Sequence, residues 1–597
     1  MDTVTFTIDG RSLTVPKGKT VLQAAIEAGI RLPYYCYHPG LGVDGSCRVC
    51  LVKIEKMPKL QVSCSVVATD GMVVHTSTPD VVAARAGVFE FLLVNHPLDC
   101  PVCDKGGECP LQDFSYSYGP AQSRMEFPRR TFDGEGVRAD VDFGPTLMLN
   151  RNRCILCTRC VRFMRDVDGD AQIGIVQRGY HSEIATYREE GVQSLLSGNL
   201  MDVCPVGAIT TRDYRFKSRP WDNPNAVDTI CTLCEKGCST TVWIKAKPEW
   251  AKGSQLVRTT PRFNPAVNGY WMCDIGRFDY HWVESERRLA QPALRRGAEQ
   301  GAASWGDALA AAGAALKQAG ANARFLTSAH ASHEELFLLA RLAQELLGDA
   351  AREAIGVAWT SSVKAQPATT KFRVPEVNAP NVAGAVALGL VPAGTRTPDL
   401  GALRAAVDAG TGLVVYVLDP GPAGSIGDVA WLLEARRAGR ISTLIVQGVL
   451  ASDLTAAADV VLPGCAWAEK HAAFTNATGQ TQSTAKAIVP PGEARDDWQV
   501  IVDVALAAGV TLGCDSLPAV RAAIVERLPE EPAFKGLTDL EYLRPAKASH
   551  WLESSNPSER VKWDAMFLDL PPFKFERMFD AGPRRQVIEL KEVGNRK

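Results

Sequence analysis

Sixteen residues in the first half of this chain are of the types that bind soft metals, and they fall into four ordered groups of four. The groups are Cys36, Cys47, Cys50 and Cys64; His96, Cys100, Cys103 and Cys109; Cys154, Cys157, Cys160 and Cys204; and Cys231, Cys234, Cys238 and Cys273. Fifteen of the seventeen cysteines lie before residue 274, so this assignment leaves none over in that half. Thiolate and imidazole ligands suit zinc or iron–sulfur centres. A run of closely placed redox centres is what is needed to pass single electrons over a distance.

Spacing separates the groups. In the first, ten residues divide Cys36 from Cys47, a CxxC follows, and Cys64 stands apart. Plant-type [2Fe–2S] ferredoxins use a related arrangement with a shorter first gap. A zinc site needs only two CxxC knuckles, and here Cys36 and Cys64 are unpaired in sequence. Gly42, Gly45 and Ser46 would let backbone N–H groups approach the sulfides. In the second group three cysteines follow His96 closely with no fourth in reach, so His96 is read as the fourth ligand. Imidazole in place of thiolate removes a negative charge and alters the potential, as in Rieske centres.

The third group, C-x2-C-x2-C with a distant Cys204-Pro205, is half of the two-cluster bacterial ferredoxin pattern. Met164, Ser194, Ser197 and Leu200 occupy the positions the other cluster would use, so one [4Fe–4S] cluster is expected to remain. The fourth group, CxxCxxxC plus Cys273, resembles the N-terminal cluster domain of molybdopterin oxidoreductases. Ile275 stands where that family often carries a lysine. No cysteine lies between Cys273 and Cys465, which leaves no molybdenum ligand at the usual place. Cys465 and Cys514 are isolated in apolar sequence and read as packing residues. His38, His75, His181, His281, His330, His333, His471 and His550 form no ligand-like set. No Walker A motif or strand–GxGxxG–helix fingerprint occurs, so neither NAD nor FMN is expected to bind this chain.

Several elements must position these groups. Alternation over Val4–Ile8 and Leu13–Val15 around Asp9-Gly10 predicts a hairpin. Thr20 and Gln23 form a capping box for a helix that ends near Gly29. Strand, strand, helix and cysteine loop outline a β-grasp [2Fe–2S] ferredoxin-type domain over 1–80. Thr78-Pro79 caps a helix to about Asn95, which leaves His96 at its end. A [4Fe–4S] domain with one histidine and three cysteine ligands covers 81–120. A ferredoxin-like [4Fe–4S] domain covers 121–220, and a molybdopterin-oxidoreductase-type [4Fe–4S] domain 221–285. Over 286–539, helical patterns at Trp305–Gln318, His333–Leu347 and Ile426–Arg437 alternate with strand runs at 324–327, 413–418 and 443–446. That alternation predicts a mostly parallel α/β sheet. Residues 540–597, rich in Pro, Phe and charge, read as an extended arm.

At 597 residues the chain is too long for one core. With 46% apolar and 22% charged residues and a net charge of −2, it is an ordinary globular composition. The pI near 6.5 gives no reason to expect nucleic acid or an anionic membrane as partner. Met1 to Phe6 run into a strand pattern without a basic n-region and apolar h-region, so no signal peptide is expected, and CxxC clustering argues for metal thiolates in a reducing compartment rather than disulfides. The longest apolar stretch, Val382 to Gly394, is too short to span a bilayer.

In this order the four groups resemble those of the large iron–sulfur subunit of bacterial NADH–quinone oxidoreductase, complex I. Tyr35-Cys36, Cys47-Arg48-Val49-Cys50, Asn95-His96-Pro97-Leu98-Asp99-Cys100 and Arg153-Cys154-Ile155-Leu156-Cys157 carry the likeness over about 1–285. Ala458–Pro463, Trp467–Lys470 and Phe474–Asn476 resemble the molybdopterin-oxidoreductase fold that this subunit carries without its cofactor. The resemblance implies one [2Fe–2S] and three [4Fe–4S] clusters, with no molybdopterin. A flavin subunit would oxidise NADH and feed the [2Fe–2S] centre, then the Cys154 centre, then the His96 centre. A two-[4Fe–4S] ferredoxin-like subunit would carry the electrons toward quinone, with the Cys231 centre off this path. It also implies other peripheral-arm subunits and a place on the cytoplasmic face of a membrane complex. The alternative is a diaphorase-type subunit of an NAD-linked hydrogenase or formate dehydrogenase, and, outside redox chemistry, a zinc scaffold.

Overall fold

The computed structural model describes residues 2–132, 139–223, 225–251 and 253–540. Thr3–Ile8 and Arg11–Pro16 pair antiparallel, with Ile8 opposite Arg11. Asp9 (φ 48°) and Gly10 (φ 80°) supply the left-handed pair that a two-residue hairpin turn requires. Thr3–Ile8 also runs parallel to Val73–His75, which makes a mixed five-stranded sheet with Leu51–Ile54 and Gln61–Val62. Helix Val21–Glu27 has both halves of the Thr20/Gln23 capping box. Its Leu22, Ala25 and Ile26 pack with Phe6, Ile8, Val52 and Val74 in a core of their own.

Helix Pro79–Val94 begins at its proline, but Thr78 contributes conformation alone and no side-chain cap bond. Phe89, fully buried, turns this helix toward Tyr35 and Phe114. Beyond it, Leu147–Asn150 pairs with Ile209–Thr211 and Asp140–Asp142. Two short helices, Arg159–Phe163 and Asn199–Val203, hold Cys160 and end at Cys204. An antiparallel sheet of Asn225–Ile230, Ser239–Ile244 and Leu256–Pro261 follows.

The C-terminal region is built on a seven-stranded sheet. Val460–Pro463, Ile441–Gly448, Leu413–Asp419, Ala323–Ser328 and Ile355–Ala358 run parallel in that spatial order, and Ala293–Arg296 with Glu299–Ala302 form the antiparallel edge. Strand residues alternate between two cores, as period-two geometry demands. Phe325, Tyr416 and Ile445 face one, while Leu326, Val415 and Val446 face the other. The helix expected from Ile426 starts only at Ala430, because Gly427 sits in the left-handed region (φ 79°). Among the described residues no helix is long and apolar enough to cross a membrane. All but the first residue of the expected 540–597 arm lies outside them.

At the heart of this region Lys470 Nζ donates to Glu335 Oε1 and Asp497 Oδ2, both at 2.6 Å, with all three side chains buried. Burial pushes the Glu335 carboxyl up to about 7 against the pull of Lys470. Removing one member of a buried ionic set leaves its partners' charge uncompensated. Lys470→Ala is therefore expected to cost about 3–5 kcal/mol, read as a lowered thermal transition by calorimetry. A loss under about 0.5 kcal/mol, as at an ordinary surface site, would contradict this account.

Candidate metal centres

The first group closes over the edge of the N-terminal sheet. Cys36, Cys50 and Cys64 are buried and Cys47 half-buried. Cys36 hydrogen-bonds with Cys47 and Cys64, and Cys50 with Cys64. These contacts draw Cys36 and Cys50 down, Cys50 to about 7, and push Cys47 and Cys64 up. Neighbouring thiols share protons in this way, and all four can ionise together only beside a cation. The loop turns at Gly42 (φ 74°) and Gly45 (φ 77°), which lets it fold back over the thiols.

The second group lines a cavity of about 350 Å³ in which His96, Cys100, Cys103 and Cys109 all take part. That volume lies within the range of small-ligand sites, roughly 300–1,000 Å³. His96 follows the end of helix Pro79–Val94, and its buried Nδ1 has no hydrogen-bond partner among the described residues. Burial first, and then the Arg153 guanidinium, lower the imidazole to about 4, so it is neutral and free to ligate at neutral pH. Burial pushes Cys109 up to about 12. A Cβ on Gly207 would lie 2.1 Å from Cys103 Sγ, so only glycine fits there.

The third group faces a small apolar cavity lined by Cys154, Cys157, Cys160 and Cys204 with Leu149, Ile184, Val206 and Ile209. Its volume, about 20 Å³, holds little more than one water. Leu156 (φ 52°) and Thr158 (φ 63°) bend the loop, and Leu156 N–H points at Cys154 Sγ at 3.4 Å. Burial pushes Cys154 up to about 12 and Cys157 to about 11. Met164 and Leu200 are fully buried, Ser194 donates to Asp168, and Ser197 donates to Asp274. The positions of a second ferredoxin centre are filled by core and by paired hydroxyls.

The fourth group is buried throughout. Cys231 and Cys273 converge on Gly276, where a Cβ would sit 2.9 Å and 3.8 Å from their sulfurs. Cys273 also caps helix Asp274–Phe278, with Gly276 N–H 3.5 Å from its Sγ. Burial pushes Cys273 up to about 12. Ile275 packs against the surrounding core. A cation does reach this group from elsewhere: Lys364, held to the Glu376 carbonyl at 2.8 Å, acts electrostatically on Cys234 and Cys273. Nothing in the local sequence marks Lys364 for that position.

Among the described residues no three His, Cys, Asp or Glu side chains converge as a single ion would require. The donor sets are of the soft type that suits an iron–sulfur cluster: the ligands are buried or half-buried except for the exposed Cys100, and glycine lies beside sulfur in the second and fourth groups. Cys514 is buried with its thiol near the Leu512 carbonyl. Cys465 is buried too, but its company is charged: its N–H donates to Asp497, and Lys470 and Asp496 lie close. Its burial is that of a packing residue, while the charges beside it come from Lys470 nearby in sequence and from Asp496 and Asp497 farther on. His38 accepts from Gly40 N–H and stacks on Trp271. His75, His281 and His333 pair with Glu55, Asp213 and Thr475. His550 lies outside the described residues.

Four family descriptions match the chain in order. A 2Fe-2S iron-sulfur cluster binding domain covers 1–79, an NADH-ubiquinone oxidoreductase-G iron-sulfur binding region 85–124, the NADH-quinone oxidoreductase subunit 3 ferredoxin-like domain 144–210, and Molybdopterin oxidoreductase 394–507. The G subunit of the NADH-quinone oxidoreductase of Streptomyces coelicolor is 40% identical over 349 residues, which is 58% of this chain and 40% of that one. The corresponding G subunit of Rickettsia bellii is 41% identical over 52% of this chain and 43% of that one. The mitochondrial NADH-ubiquinone oxidoreductase 78 kDa subunit of Candida albicans is 41% identical over 53% and 42%. The matches thus span less than half the length of these relatives. Over that stretch the resemblance to the large iron–sulfur subunit of NADH–quinone oxidoreductase is real at the level of sequence. The mixed α+β and α/β architecture agrees with the matched domains.

Gly207→Ala is expected to disturb the His96 site and spare the first group. Iron content should fall by about one cluster's worth while the [2Fe–2S] absorption persists. Full iron content in that variant would contradict the close approach of Gly207 to Cys103.

Proposed function

We propose that this chain is an electron-transfer iron–sulfur subunit of an NADH–quinone oxidoreductase, part of a peripheral arm on the cytoplasmic face of a proton-translocating membrane complex. Cys36, Cys47, Cys50 and Cys64 would hold a [2Fe–2S] cluster. His96 with Cys100, Cys103 and Cys109, Cys154 with Cys157, Cys160 and Cys204, and Cys231 with Cys234, Cys238 and Cys273 would each hold a [4Fe–4S] cluster. The domain boundaries proposed are 1–80, 81–120, 121–220, 221–285, 286–539 and 540–597. The partners would be a flavin subunit that oxidises NADH and a two-[4Fe–4S] ferredoxin-like subunit.

One observation carries the reading. A single buried core contains Cys109, Cys160, Cys204, Cys231, Cys238 and Cys273, together with Tyr35 and Val49 beside ligands of the first group. Residues from all four groups therefore lie in or against one apolar medium, which supports a relay rather than four unrelated zinc knuckles. When bound, the clusters accept and release single electrons. The chain's own residues bury the thiolates, exclude water, and set the charge at each site. His96 does the last by replacing a thiolate with a neutral donor.

Purification of the native complex, with identification of its subunits, tests this. Flavin-subunit and antiporter-like membrane partners are expected; a nickel–iron hydrogenase pair would overturn it in favour of a diaphorase module. His96→Ala should remove or convert one [4Fe–4S] EPR signal on reduction by NADH and leave the [2Fe–2S] signal. An unchanged set of signals would count against ligation by His96. Cys273→Ala should lower the amount of assembled complex more than the turnover of what assembles. A fully assembled variant unable to pass electrons would place the fourth centre on the path.

A further inference from the structure

The third cysteine group is tied to the first by side chains that neither group's spacing announces. Arg159 and Arg162 lie on helix Arg159–Phe163, which also carries Cys160, and they are only 2% and 5% exposed. Arg162 Nη2 donates to the Cys36 carbonyl, and its Nη1 reaches Leu41 O at 3.3 Å and Gly42 O at 3.2 Å. Arg159 Nη2 donates to Tyr37 O at 2.5 Å while Nη1 reaches Val203 O at 3.3 Å. Arg159 thus joins the residue after Cys36 to the residue before Cys204. The acceptors of Arg162 are neutral carbonyls, and Asp44, 3.9 Å from its Nε, balances its charge in part.

We infer that Arg159 and Arg162 are positioning residues that clamp the loop of the first group onto the helix of the third, fixing the separation of their two centres and placing positive charge between them. This rests on the cluster assignments proposed above. The planar fork of arginine suits the task, because one side chain can hold two carbonyls in fixed directions. Lysine would keep the charge and lose the fork. Reduction of either centre adds one electron, and a positive charge in a low-dielectric interior favours that form.

The test uses the full chain loaded with clusters, and also the metal-free chain. In Arg162→Gln, reduction of the [2Fe–2S] centre should become about tenfold less favourable, ~59 mV for one electron. The relaxation enhancement of its EPR signal by the reduced neighbour should weaken. Amide exchange over residues 36–47 should quicken with or without metal. Arg162→Lys should recover the potential while exchange stays fast. Arg165→Gln, just beyond the same helix but exposed and paired with Asp166, should change none of these. Wild-type potential and relaxation in a loaded Arg162→Gln would overturn the clamp, as would loss of the [2Fe–2S] centre from both Arg162 variants. Loss from Arg162→Gln with retention in Arg162→Lys would support it. A wild-type chain that binds no iron–sulfur would sink the functional reading instead, and exchange in the metal-free chain would still judge the clamp.

Discussion

Burying a thiolate is costly unless a cation sits beside it, and eleven of the fifteen cysteines before residue 274 are buried under that constraint. Desolvation lifts Cys109, Cys154 and Cys273 to about 12, so without metal these thiols stay protonated at neutral pH. Iron would reverse the balance by supplying the positive charge that water no longer can. Much else near the sites follows from it. Gly207 and Gly276 give sulfur room, and Leu149, Ile184 and Ile209 keep water out. The buried Nδ1 of His96 has no hydrogen-bond partner among the described residues, as a donor kept for a metal would have none. The same dry medium makes each nearby charge count for more, which is why buried arginines beside the first and third groups matter electrically as well as mechanically.

The third group is the hub of the arrangement. Arg159 and Arg162 reach back to the loop of Cys36, and Arg153, adjacent to Cys154, pairs with Asp99 beside Cys100 at 2.9 Å. On the other side Asp274, next to Cys273, accepts from Ser197 and from Gly198 N–H. Each neighbouring group is fastened to this one by a side chain adjacent to a ligand or close to it along the chain. The α/β region follows a different logic. Its two cores sandwich a parallel sheet, and its buried charges, Glu335, Lys470 and Asp497, satisfy one another with no call on metal.

What is legible in the sequence is what is encoded locally. The Asp9-Gly10 turn, the Thr20/Gln23 box, and the helix at His333–Leu347 depend on residues a few positions apart, and each forms as expected. The cysteine triplets are legible for the same reason. Arg162 and Lys364 are not. The groups they act on lie far away in sequence, and only the fold brings them together. Gly427 shortens one helix because a single left-handed residue outweighs the hydrophobic period around it. Cys465 follows an apolar run, yet Asp496 and Asp497, about thirty residues on, join Glu469 and Lys470 in giving it charged neighbours.

Analysis of metal and acid-labile sulfide in the anaerobically purified full-length protein bears most directly on the central claim, that buried thiolates here exist to hold polynuclear iron. The account expects iron and sulfide in nearly equal amounts, on the order of fourteen of each per chain, and little zinc. A colourless protein with several zinc ions and no labile sulfide would contradict it.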